Sequence, residues 1–204
     1  MVEEGYVKYS ADHRMGEVPE APGWKELNGA RTLLYRMGLV GINSQRAGFG
    51  NLSLRFKGES FLISGTATGA RPVLGPEGYC LVESFDIAGN RLVSFGPVRA
   101  SSESLTHGAV YRASPGVNAV IHVHSRLLFD GMLRDHSPAT PSGAAYGTPE
   151  LALAVERSVS GEGKTQGILV LAGHDEGILA YGPTVETSLN LILESVKKYG
   201  TNGG

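Results

Sequence analysis

Cysteine is nearly missing from this chain. Cys80 is the only one in 204 residues, which rules out an intrachain disulfide and makes a reducing cytoplasm the default compartment. Cys80 sits in the apolar run Tyr79-Cys80-Leu81-Val82, where packing is its expected role. No excess of charge is present either, since 18 basic residues against 20 acidic ones leave a net charge of −2. Nothing therefore points to a nucleic-acid groove or an anionic membrane surface. Apolar runs long enough to cross a bilayer are lacking, and Met1-Val2-Glu3-Glu4 has neither the basic nor the apolar part of a signal peptide. What remains is an ordinary globular balance, 41% hydrophobic and 19% charged. The length suits a single domain over residues 1–204, with 1–22 as a loosely ordered lead-in marked by Pro19 and Pro22. Glycine is the one abundance: 29 of them imply many tight turns and close backbone approaches.

Periodicity predicts a helix from Trp24 to Met37, stopped by Gly38. Strands are predicted at Leu52–Phe56 and Phe61–Ile63, and a hairpin joins Tyr79–Glu83 to Leu92–Phe95 across Ala88-Gly89-Asn90. A helix over Ser101–Arg112 takes Ser101 or Ser102 as its N-cap. Thr148 caps a helix with Pro149 at its first position, running to about Val159, and Thr184 opens a last helix running to about Tyr199. Two further strands, Ile168–Leu171 and Ile178–Tyr181, flank Gly173-His174-Asp175-Glu176-Gly177. Residues 126–147 carry no clear pattern. Short, locally joined strands imply a mostly antiparallel sheet with helices on its faces.

Chemistry concentrates in Ile121-His122-Val123-His124-Ser125. Side chains alternate along a strand, so His122 and His124 project from one side, and two adjacent imidazoles supply half of a zinc-type site. Glu103, one helix and one turn upstream, can serve as ligand or general base beside a cation. For the third ligand His174 is the choice, in its glycine-bounded loop, with His107 second. Three loops, Gly50-Asn51, Thr68-Gly69 and Ser101-Ser102, combine exposed amides with small polar side chains that suit a phosphate.

Taken in order, Gly50-Asn51-Leu52-Ser53, Ile63 through Thr68-Gly69, Ser101-Ser102-Glu103, His107, Val120-Ile121-His122-Val123-His124 and a late His-loop-Gly resemble the class II aldolase/adducin family, over about Trp24 to Tyr199. The resemblance implies an α/β fold, a three-layer α/β/α arrangement with a mainly antiparallel central sheet, usually as a homotetramer. It implies zinc, or another divalent metal, on His122, His124 and His174. Gly50, Asn51, Thr68, Gly69, Ser101 and Ser102 would bind the phosphate of a small sugar substrate, with Glu103 as the acid/base. The implied activity is that of a cytoplasmic lyase cleaving a phosphorylated ketose through an enediolate. Epimerisation or dehydration of a sugar phosphate on the same metal, or a non-enzymatic adducin-like module, are the alternatives. Two departures from the pattern stand out. Aligning on Gly177 puts Glu176 where a ligand histidine belongs, and the segment after the histidine strand holds no tyrosine before Tyr146.

Overall fold

The computed structural model describes residues 8–161 and 164–200. Residues 1–7 of the expected lead-in lie outside that range. The elements run β1 (Ser10–Arg14), α1 (Trp24–Arg36), β2 (Gly41–Ile42), β3 (Gly48–Phe49), β4 (Asn51–Lys57), β5 (Ser60–Ser64), a 3-10 turn over Pro76–Gly78, β6 (Tyr79–Asp86) and β7 (Arg91–Phe95). After these come α2 (Ser104–Ala113), β8 (Ala119–His124), α3 (Arg126–Arg134), α4 (Pro149–Val159), β9 (Gly167–Val170), β10 (Gly177–Gly182) and α5 (Val185–Tyr199).

Eight strands form one sheet in the order β1-β7-β6-β5-β4-β8-β10-β9. Every pairing in it is antiparallel except β1 with β7. Alternation along the strands sends apolar side chains to both faces, as a sheet covered on both sides requires. Val120, Phe61, Ile63 and Leu179 pack under α2 and α4 with Leu105, Ala109, Leu151 and Val155. Ile121, Val123, Leu52 and Leu54 pack on the opposite face with Leu27 and Leu34 of α1, Leu128 and Met132 of α3, and Ile192 of α5. The outcome is helix, sheet, helix. Burying each leucine of this kind contributes about 1.5–3 kcal/mol before entropy is charged against it.

Three expectations need correction. The lead-in is not loose throughout, because residues 10–14 form β1 at the sheet edge. Its Ser10, Asp12 and Arg14 stay exposed, so no apolar alternation announced it. The patternless stretch begins with helix α3, capped by Ser125 through its side-chain oxygen. Finally, α2 starts later than predicted: its N-cap is Glu103, with no side-chain cap. Ser101 and Ser102 form the preceding turn, where the Ser104 hydroxyl donates to the Ser101 carbonyl at 2.6 Å. The caps at Thr148 and Thr184 are present, each accepting from an amide of its own first turn.

Candidate functional site

Sheet register assembles the site. In β8 the histidines alternate with Ile121 and Val123, so both imidazoles emerge on the α2 side while the aliphatic residues fill the other face. Asn51 of β4 pairs with His122, and on the other flank Gly177 of β10 pairs with His124. The turn from Leu171 to Gly177 then returns His174 over this flank: its amide donates to the Leu171 carbonyl, and its own carbonyl accepts from Gly177. A side chain at 177 would collide here, since a Cβ would lie 2.9 Å from the His174 carbonyl oxygen and 3.2 Å from the His122 ring. Gly50, at φ 72, is needed for a similar reason, as a Cβ there would reach 2.5 Å from Val40.

The ligand atoms of His122, His124 and His174 all lie within 4.8 Å of one another. The Nε2 atoms of His122 and His124 face each other at 3.1 Å. His122 Nδ1 lies 3.0 Å from the Ile178 carbonyl oxygen. A carbonyl only accepts, so Nδ1 carries the proton and Nε2 presents a lone pair to the cluster. Burial, reinforced by the neighbouring imidazoles, holds His122 and His124 well below the usual histidine range. Both are therefore neutral at physiological pH, the form a cation needs. Nitrogen donors, spacing, tautomer and protonation state all fit a zinc-type divalent ion.

Glu103 is 2% exposed, and its Oε1 lies 3.9 Å from His174 Nδ1. Glu176 turns away to the surface, 3.3 Å from Arg126. The alternatives for the third position thus separate on geometry, with His174 in the cluster and Glu176 outside it. His107 is also outside. Its Nδ1 hydrogen-bonds Ser53 at 2.6 Å, Ser53 in turn bonds Tyr111 at 2.7 Å, and burial pushes the His107 ring down to about 3. These three side chains hold α2 against the sheet.

A cavity of about 190 Å³ opens onto this cluster, smaller than pockets that enclose drug-sized ligands. Its wall includes all three histidines, Glu103, and the three expected loops, Gly50-Asn51, Thr68-Gly69 and Ser101-Ser102. Asn51 is 7% exposed, and its Oδ1 has no hydrogen-bond partner among the described residues. The Thr68 hydroxyl donates to the Gly65 carbonyl at 2.8 Å, and Tyr9 clamps the Ala100 and Ser101 carbonyls from below. The loops are thus positioned by contacts behind the cavity.

Tyr146 and Arg46, both on the wall, were assigned no site role from the sequence. The Tyr146 ring packs tilted against His174, with centroids 4.5 Å apart, and its hydroxyl donates to Ser102 Oγ at 2.5 Å. Only the Tyr146-Gly147-Thr148 turn before α4 hinted at it. Arg46 is the other, on the turn between β2 and β3. An adjoining cleft of about 810 Å³ shares Phe49, His124, Tyr146 and His174 with the cavity.

Comparison with known proteins agrees with this architecture. Residues 30–129 match the Class II Aldolase and Adducin N-terminal domain model. No curated protein matches the chain in sequence. Among solved structures, L-fuculose-1-phosphate aldolase from Thermus thermophilus superposes with a TM-score of 0.59 at 22% identity, covering 85% of this chain and 89% of that one. A sugar-phosphate aldolase from Thermotoga maritima gives 0.61 at 18% identity, over 85% and 90%. YgbL of Klebsiella pneumoniae, for which aldolase, epimerase and decarboxylase are named as candidate activities, gives 0.62 at 18% identity, over 88% and 89%. The described fold is thus the one found in these solved structures, and the match to the Class II Aldolase and Adducin N-terminal domain model falls on residues 30–129 within it.

Proposed function

We propose that this chain is a divalent-metal-dependent lyase that cleaves or forms a small phosphorylated ketose, with zinc on His122, His124 and His174. One observation carries the reading: three buried imidazoles, two of them held neutral, share a small cavity wall with a single carboxylate, Glu103. A bound cation supplies positive charge against the negative charge that grows on substrate oxygens as a carbon–carbon bond breaks.

The chain's own residues do the rest. Asn51, Thr68, Gly69, Ser101 and Ser102 offer amide and hydroxyl groups to the phosphate, along with the amide end of α2. Gly50, where no side chain fits, keeps the backbone close to β8. In cleavage the C4 hydroxyl passes its proton to the Glu103 carboxylate, the C3–C4 bond breaks to release the aldehyde, and its electron pair stays with C3 and the adjoining carbonyl. Glu103, the one acid on the cavity wall, returns a proton to C3 from its carboxyl oxygen. Such a step contributes typically 10²–10⁴-fold to rate.

Condensation tests the reading. Metal-loaded protein given dihydroxyacetone phosphate and a small aldehyde is expected to form a ketose phosphate. Absence of product, with turnover of a pentulose phosphate instead, would replace the lyase by an epimerase. Protein that retains no metal after purification in zinc would favour a binding module.

A further inference from the structure

The three loops expected to hold a phosphate offer only amides and small polar side chains, yet one arginine stands on the cavity wall. Arg46 is the only lysine or arginine among the residues lining the cavity. It is exposed, and it forms no ion pair among the described residues. Other arginines of this chain are differently placed: Arg14, Arg71, Arg91, Arg112 and Arg126 each face a carboxylate. The turn presenting Arg46 is built, not slack. Asn43 Oδ1 accepts from the amides of Gln45 at 3.0 Å and Ala47 at 2.9 Å, and the Arg46 amide donates to the Asn43 carbonyl at 2.9 Å. This holds Arg46 at φ 64, a left-handed conformation that costs a residue other than glycine free energy.

A second positive charge lies behind the same cavity. Arg31 of α1 is 3% exposed and donates to the carbonyls of Thr68 at 3.0 Å and Pro72 at 3.2 Å, with no carboxylate partner among the described residues. A buried guanidinium usually has a counter-ion. Here the loop it supports is the Thr68-Gly69 wall of the cavity. Arg31 thus sets one positive charge behind that wall, and Arg46 sets another among the residues that line the cavity.

We propose that Arg46 is the counter-charge for the phosphate end of the substrate, closing from the solvent side a cradle whose other contacts are neutral. This rests on the reading of a phosphorylated substrate given above, and it adds the residue that selects for the anion. A guanidinium presents paired N–H donors to phosphate oxygens, a geometry lysine lacks.

The test uses metal-loaded protein and inorganic phosphate as the probe, followed by calorimetric titration at low ionic strength. Arg46→Gln is expected to weaken phosphate binding about 10–100-fold, the usual worth of a hydrogen-bonded charge. Arg46→Lys should recover part of the loss. Metal stoichiometry should be unchanged, and KM for a phosphorylated substrate should rise by a similar factor with kcat little altered. Arg46→Gly removes the charge and also relieves the left-handed backbone, so reduced phosphate affinity with an unchanged or higher Tm separates binding from folding. Added salt should narrow the difference between variants and wild type, because an exposed charge is screened. Equal phosphate affinity in Arg46→Gln and wild type, with Ser102→Ala weakened, would overturn the role of Arg46 and leave the phosphate reading standing. A wild-type protein that does not bind phosphate at all would overturn both.

Discussion

Glu103 and His122 line the same cavity, yet losing either should damage function in a different way, and single substitutions separate the two. Glu103→Gln keeps size and shape but removes the proton carried by the carboxyl group, so turnover should fall about 10²–10⁴-fold while metal content, read by elemental analysis, stays intact. His122→Ala should lose the metal; full occupancy in that variant would refute its assignment. Gly177→Ala belongs with these, since its new Cβ enters the space between His174 and His122, and weaker metal retention is the expected outcome. Protonation gives a further handle. His107, His122 and His124 have folded-state values depressed below that of an exposed histidine. The unfolded chain therefore binds protons first as pH falls, and the stability these neutral rings contribute is full above about pH 6.5 and declines below it. For His107 the decline extends toward pH 3. Denaturant midpoints measured across the mildly acidic range should drop as pH falls, and His107→Asn should flatten the slope.

Helices and strands differ in how plainly the chain announced them. α1, α4 and α5 carry an apolar stripe and a recognisable start or stop, and each lies within a residue or two of its expected span. β1 and α3 were not legible, for distinct reasons. β1 joins β7 in the one parallel pairing of the sheet, with every other side chain in solvent, so its backbone bonds, not its side chains, define it. α3 is nine residues long and contains Gly131. That glycine reads as a helix breaker, yet it lets Tyr199 of α5 lie against α3, where a Cβ would sit 2.4 Å from the ring. Gly131→Ala is thus expected to destabilise the protein by about 1–3 kcal/mol through overpacking, although alanine favours an isolated helix. Thr148→Ala, which deletes an N-cap bond, should cost about 1 kcal/mol. Thermal denaturation of the two variants decides both.

At the scale of the whole molecule, the histidine cluster ties together β8, the Leu171–Gly177 turn and, through Glu103, the start of α2. A cation held there binds the folded chain and not the unfolded one, so free metal at about 100 times its Kd should add about 2.7 kcal/mol of stability. Chelation should lower Tm accordingly, and His122→Ala should be insensitive to it. Among the described residues no helix is long and apolar enough to cross a membrane. What the amino-acid order determined by itself was local: the alternation that puts His122 and His124 on one face, the caps at Thr148 and Thr184, and the glycine positions where backbone must pass close. What tertiary structure alone decided was convergence. Whether His174, Glu176 or His107 would meet the strand histidines depended on how the turn from Leu171 to Gly177 folds back over β10. Tyr146 and Arg46 reach the cavity from stretches of chain far from Ser101 and Ser102. Those approaches are set by sheet register and loop path, which arise from contacts distant in sequence and leave no periodic trace in it.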